Sequence, residues 1–155
     1  MKIGVISDTH GLLRREALAA LQGVEHILHA GDVGDAIILN QLQAIAPVTA
    51  IRGNIDCSGP CAALPATEAV ELDGSLFYLV HALPDLDLNP EIAGFQAVIY
   101  GHSHKAAISW KNGVLYLNPG SAGPRRFSLP LTVALIETGG DSLKTEIVPL
   151  FPSNL

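Results

Sequence analysis

The first third of the chain alternates between short apolar runs and segments of helical spacing, and this alternation limits the possible folds more than any other feature. "KIGVIS" (2–7) is a strand-like run, "RREALAALQ" (14–22) carries apolar residues at helical spacing, and "EHILHA" (25–30) is a second run. "DAIILNQLQAI" (35–45) follows as a second helix, and "VTAI" (48–51) as a third strand after Pro47. Strand and helix in this order imply a parallel sheet with right-handed crossovers. Beyond residue 66 the texture changes. "TEAVELDGSLFYLV" reads as two strands about Asp-Gly, "AISWKNGVLYL" as two about Asn-Gly, and "LTVALIETGGDSLKTEIVPL" supplies a last pair. A parallel first half and a largely antiparallel second half predict two sheets packed face to face with helices outside. No repeat, linker or low-complexity segment interrupts the 155 residues, so 1–155 reads as one domain.

Composition narrows the function. The hydrophobic fraction is 48% and the charged fraction 15%, which suits strands buried on both faces and excludes disorder. Nine Lys and Arg stand against fifteen Asp and Glu, a formal charge of −6 that argues against broad binding to nucleic acid or an anionic membrane. A phosphate-bearing substrate would need positive charge supplied locally. Asp8 and His10 break the apolar start before a signal peptide or membrane span could form, so a cytoplasmic location is expected. Cys57 and Cys61, in "CSGPC", lack a second metal-ligand pair and read as two reduced thiols.

Ligand-type side chains follow the strand-like runs. Asp8 and His10 lie in "SDTHG", Asp32 in "AGDVGD", Asn54 in "RGNID", His81 after "LFYLV", and His102 and His104 in "GHSH" after "AVIY". Loops at the carboxyl ends of strands in an open α/β sheet gather along one edge, where ligands bind. Singly, each residue has a plainer role: an aspartate caps a helix, an asparagine shapes a turn, and a lone histidine is structural. Jointly, seven metal-capable residues in strand-end loops favour a site, with a Gly beside Asp32, Asn54 and His102 expected to let the backbone turn sharply. His26 and His29 precede the Asp32 loop and read as structural or supporting residues, with His29 the better candidate to support Asp32.

The motifs "DTH", "GD", "GN", a later His and "GHSH", in that order, resemble the five signatures of the calcineurin-like metallophosphoesterases. "NPGSAGPR" (118–125) resembles the small bacterial and archaeal phosphodiesterase subgroup of that family. The resemblance implies an α/β (α+β) fold, a four-layer αββα sandwich of two mixed β-sheets flanked by helices. It also implies two divalent transition-metal ions. Asp8, His10 and His104 would hold the first, Asn54, His81 and His102 the second, and Asp32 would bridge them. Manganese is the expected ion, and iron, zinc, cobalt and nickel suit the same imidazole, carboxylate and amide donors. Two such ions would move the formal charge from −6 to −2 (−6 + 4). They would hold a bridging hydroxide that attacks phosphorus in line.

The implied activity is hydrolysis of a small phosphodiester, with Asp32, Asn54 and His81 central to catalysis. Two positions depart from the family pattern. Many members carry a histidine directly after the Asn of "GN", where it serves as general acid, and here Ile55 stands there; Asp56 or His29 would have to supply a proton instead. A Gly usually follows the histidine equivalent to His81, and here Ala82 does. Arg125 would bring a guanidinium to the substrate phosphate. Two other readings remain: a non-catalytic protein-interaction scaffold with a decayed metal site, which the related retromer subunit resembles, and a phosphomonoesterase, which Ile55 disfavours. A homo-oligomer is compatible with all three.

Overall fold

A computed structural model describes residues 1–152. Its elements in chain order are β1 (Lys2–Ile6), α1 (Arg15–Ala20), β2 (His26–His29), α2 (Ala36–Gln43), β3 (Val48–Ala50), β4 (Thr67–Leu72), β5 (Ser75–Val80), α3 (Pro90–Ala93), β6 (Ala97–Ile99), β7 (Ala107–Lys111), β8 (Val114–Asn118), β9 (Thr132–Glu137) and β10 (Lys144–Pro149). Short 3-10 turns span Pro60–Ala63 and Leu83–Asp85. The helices are shorter than their apolar spacing suggested. No side chain caps α1, whereas the Asp35 carboxylate accepts the Ile37 amide at the start of α2.

One five-stranded sheet runs β10-β9-β1-β2-β3 and the other β4-β5-β6-β8-β7. The two halves of the sequence share the sheets between them. β9 and β10 return to flank β1 in the first sheet, antiparallel to it and to each other, while β5, β6 and β8 lie parallel in the second. Both sheets are therefore mixed. Local turn chemistry fixes only the hairpins: Asp73 and Gly74 have φ of 51° and 79°, and Asn112 and Gly113 have 53° and 78°, the positive pairs that a type I′ turn requires. β6 is a three-residue strand buried throughout, so nothing in its pattern announced which partners it would take.

The main core lies between the sheets and includes Ile3, Val5, Leu28, Phe77, Leu79, Ile99, Leu115, Leu117, Ala134 and Ile136. Truncating Phe77, which has no exposure, to Ala would cost roughly 3–5 kcal/mol. On the outer face of the first sheet, Ile6, Ile27 and Val133 pack with Leu21, Ile38 and Leu42 of the helical layer. α1 comes so close there that a Cβ at Gly4 would lie 2.5 Å from Leu21 Cδ2. The outer face of the second sheet is covered more thinly. Tyr78, Val80, Val98 and Val114 pack with Phe95 and with Leu83, Leu86 and Leu88 of the loops, and α3 has only four residues. The result is a layered α/β sandwich of two mixed sheets. Among the described residues no helix is long and apolar enough to cross a membrane.

Candidate metal centre

All seven ligand-type residues lie just beyond the carboxyl ends of β1, β2, β3, β5 and β6, on one rim. Five of them hold left-handed backbone: φ is 56° at Asp8, 46° at His10, 55° at Asp32, 73° at His102 and 63° at His104. Each such non-glycine residue costs of order 1 kcal/mol, and strain of this kind clusters where function over-determines the backbone. The loops are tied together. Asp8 N donates to Gly31 O (3.0 Å), His10 N to Asp32 O (2.9 Å) and Gly11 N to Val33 O (2.9 Å), which extends the β1–β2 pairing past both strands. Among the glycines expected to permit sharp turns, only Gly31 has positive φ, 101°. Gly53 and Gly101 are required for close approach instead: a Cβ on Gly53 would strike the Asp32 carboxylate, and one on Gly101 would strike Ser7 Oγ.

Each aspartate has one oxygen held by the protein and one facing the imidazoles. Asp8 Oδ2 accepts from Ser7 Oγ (2.8 Å) and the His102 amide (3.1 Å), and Asp32 Oδ1 accepts from the Ile55 amide (3.1 Å). Asp8 Oδ1 lies 3.5 Å from His104 Nε2 and 3.7 Å from His10 Nε2. Asp32 Oδ2 lies 3.3 Å from His10 Nε2 and 3.2 Å from His81 Nε2. Two sets result, Asp8–His10–His104 and Asp32–His81–His102, each with one ligand atom per residue within 4.8 Å of the others. Asn54 joins the second set through Oδ1, 3.1 Å from His102 Nδ1. Asp32 Oδ2 thus lies beside an imidazole of each set, and Asp8 Oδ1 also reaches across, 3.8 Å from His81 Nε2.

These residues fit divalent metal. His81 Nδ1 donates to the Ala30 carbonyl at 2.7 Å, so its Nε2 presents a lone pair toward the carboxylates. Asp8 Oδ1 and His81 Nε2 are buried without a hydrogen-bond partner. His10 Nε2 and His104 Nε2 face each other at 3.2 Å, where at most one proton fits. Lone pairs converging in this way need a cation among them. A proton on His81 Nε2, shared with Asp32, would meet part of the same demand. Burial pushes the Asp32 carboxyl up, but the His81 hydrogen bond, the Ile55 amide and the charges of His81 and His10 outweigh it and hold it at about 2. Burial pulls His81 down, yet Asp32, the Ala30 carbonyl and Asp8 leave it above the ordinary histidine value. His104 is lowered, by burial first and then by Arg126 and His10, against the pull of Asp8 and Asp32.

Several residues support the loops in ways the sequence did not indicate, among them Asp56, which read there only as a proton source. The Asp56 carboxylate accepts from the amides of Val33 (3.0 Å), Gly34 (3.0 Å) and Gly53 (2.9 Å), clamping the Asp32 loop to the Asn54 loop. Asn118 donates to Gly101 O and Ser103 Oγ (both 3.1 Å), and Ser121 Oγ donates to Asp8 O (3.0 Å), so the "NPGSAG" turn props two ligand loops. Their partners are mostly backbone groups, which leave no spacing pattern to read. His29 does support the Asp32 loop: its Nδ1 accepts the Gly31 amide (3.1 Å), so Nε2 carries the proton and donates to Thr9 Oγ1 (3.0 Å). Burial holds it neutral, at about 4. His29 and Asp56 are thus buried and committed, which removes both as proton sources for a leaving group. His26 bonds Thr49 Oγ1 at 2.8 Å on neighbouring strands and takes no part. Cys57 is exposed and Cys61 buried, both free.

Two clefts border the ligand sets. A cleft of about 660 Å³ is lined by Asn54, His81 and His102 together with Arg52, Ala82 and Asp85. A smaller one, about 160 Å³, is lined by His10, His104, Pro124, Arg125 and Arg126. Arg125 and Arg126 thus share a cleft with two of the histidines. Ile55 is 39% exposed and offers only its amide, already bound to Asp32.

Known proteins resemble this chain in sequence and in fold. A probable metallophosphoesterase of Methanothermobacter thermautotrophicus is 33% identical, covering 96% of this chain and 92% of its own length. A phosphodiesterase of Methanocaldococcus jannaschii is 28% identical, covering 89% of this chain and 93% of its own. The structure of Vacuolar Protein Sorting 29 from Cryptosporidium parvum, 20% identical, superimposes with a TM-score of 0.78 over 96% of this chain and 95% of that one, a likeness of fold. The family model for the calcineurin-like phosphoesterase superfamily domain matches residues 1–141, and the chain belongs to that family of metal-dependent phosphoesterases.

Proposed function

We propose that the protein is a phosphodiesterase working with two divalent transition-metal ions, manganese first among them. Asp8, His10 and His104 would hold one ion, Asn54, His81 and His102 the other, and Asp32 would serve both. The observation that carries this reading is Asp32 Oδ2, set 3.3 Å from His10 Nε2 of one group and 3.2 Å from His81 Nε2 of the other. Two ions there would withdraw charge from a phosphoryl oxygen and make water acidic enough to attack at neutral pH. The chain's own part is orientation: Ser7 and the amides of His102 and Ile55 fix one oxygen of each aspartate, and the Ala30 carbonyl fixes the His81 ring.

In the reaction, water oxygen bonds to phosphorus, one ester P–O bond breaks, and the released alcohol takes up a proton. Ile55 has no proton to give, and His29 and Asp56 are committed elsewhere. A positioned general acid typically contributes 10²–10⁴-fold. Without one, rates should fall steeply as the leaving group becomes more basic, nitrophenyl diesters should be good substrates, and monoesters poor ones. The decisive experiment is elemental analysis of the metal-saturated protein together with kcat/KM for diesters of graded leaving-group acidity and matched monoesters. At most one ion per chain, or monoesters cleaved faster than diesters, would overturn the reading. The scaffold alternative has the fold likeness to Vacuolar Protein Sorting 29 behind it. Against it, all seven ligand positions keep ligand-capable side chains, which a decayed site would not.

A further inference from the structure

The two clefts differ in charge as well as size. In the larger, Arg52 and Asp85 carry opposite charges, and Ala66, Val80, Ala82 and Pro84 form apolar wall. Arg52 also gives its Nη1 to the Leu64 carbonyl at 2.7 Å. The smaller cleft has no acid in its lining, and two arginines stand beside His10 and His104. The sequence around it is equally one-sided. No Asp or Glu lies between Glu91 and Glu137, although the chain holds fifteen, and the same stretch carries Lys105, Lys111, Arg125 and Arg126. Lys105 directly follows His104.

Neither arginine is spent elsewhere. Among the described residues neither makes an ion pair. Arg125 Nη1 donates to the Leu129 carbonyl at 3.3 Å, which closes its own loop and leaves the rest of the guanidinium available. A protein of formal charge −6 that concentrates unpaired guanidinium at one mouth of its site provides for an anion there. The reacting phosphate alone does not explain it, because that group would sit between the two sets, by Asp32, which does not line this cleft. Guanidinium forks match phosphate oxygens in geometry, and a cleft of about 160 Å³ has room for about five waters' share of volume, enough for one such group.

We propose that the Arg125–Arg126 cleft is a subsite for a second phosphate on the substrate, so that the preferred substrate is a phosphodiester with one arm bearing a terminal phosphate and an uncharged arm in the Arg52–Asp85 cleft. This deepens the phosphodiesterase reading and rests on it. A 5′-phosphorylated dinucleotide has this chemistry, and the unphosphorylated dinucleotide is its matched control.

The test uses the manganese-loaded protein, wild type and the double variant Arg125→Gln/Arg126→Gln, with Lys111→Gln as a charge-loss control on the outlying strand β7. Wild type should cleave the 5′-phosphorylated dinucleotide at least tenfold more efficiently than the unphosphorylated one, mainly through KM. The double variant should bring that ratio near one, losing far more on the phosphorylated dinucleotide than on the unphosphorylated one or on bis(nitrophenyl) phosphate. Lys111→Gln should keep the ratio. The preference should also shrink with added salt, because the cleft is open to solvent. A wild-type ratio near one, or a double variant that keeps the preference, overturns the subsite. So does an equal loss on all three substrates, which would assign the arginines to the reacting phosphate. If no diester is cleaved, the phosphodiesterase reading fails on its own, and calorimetric binding of the two dinucleotides decides the subsite: tenfold tighter binding of the phosphorylated one, lost in the double variant, supports it, and equal binding overturns it.

Discussion

The Asp8–His10–His104 set is closed in, whereas the Asp32–His81–His102 set opens to solvent. Asp8 and His104 are buried and His10 is partly so; His102 and its partner Asn54 are exposed. The closed set is braced on several sides, by Ser7, by the His102 amide and by Ser121 from the "NPGSAG" turn. In the open set Asp32 and His81 are anchored as firmly, but Asn54 and His102 have little beyond each other. On the two-ion reading, one half would keep an ion and the other would admit a substrate. A closed set has its ligands preorganised, so less ordering remains to be done on binding, and the two sites should differ in affinity.

The largest effect able to break this contrast is at the atom both halves share. Asp32→Asn keeps an oxygen for the Ile55 amide but removes the charge between the sets. Activity on bis(nitrophenyl) phosphate should fall by at least about 10³-fold, which is about 4 kcal/mol, and elemental analysis should find no more than one ion. Two ions retained at full activity would show that the sets do not depend on Asp32.

Acid should act on the support beneath both sets. His29 has its pKa lowered from 6.5 to about 4 by burial, so the folded protein binds a proton there less readily than the unfolded chain does. The stability this contributes is complete above about pH 6.5 and is lost as pH falls toward about 4. By linkage the loss amounts to roughly 3 kcal/mol. His81 shifts the other way, so the His29 share is read as a difference. In the metal-free protein, denaturant unfolding across this range should give a shallower pH dependence for His29→Gln than for wild type. Identical slopes would mean that His29 titrates without penalty.

Graded chelation sharpens the contrast directly. Ions should leave in two steps, the open-set ion first, with an affinity gap of roughly 10–100-fold, the size that supporting hydrogen bonds typically contribute. His102→Ala should lose the weaker step and keep the tighter one. A single step removing both ions together would erase the distinction between the halves.

The ligand-type residues were legible because each follows an apolar run: the polarity change from "VIS" to Asp8, or from "VIY" to His102, marks a strand end whatever the rest of the fold does. The hairpins were legible for a similar local reason, in Asp73-Gly74 and Asn112-Gly113. The residues that brace the ligands were not. Asp56 read as a proton source and Asn118 as part of the "NPGSAGPR" resemblance, neither as a brace, because both act on backbone amides or carbonyls that any sequence would supply.

By itself, then, the sequence determined the strand-end loops, the seven ligand-type side chains and the hairpin turns, all of which follow from local periodicity and residue chemistry. Only the tertiary structure decided that β9 and β10 return to the first sheet and that β6 lies between β5 and β8. It alone set Asp32 Oδ2 between His10 and His81, and placed Arg125 and Arg126 at the mouth where His10 and His104 end. Pairings between distant strands depend on how buried faces match across the whole core, and a chain buried on both faces carries no alternation to mark its neighbours.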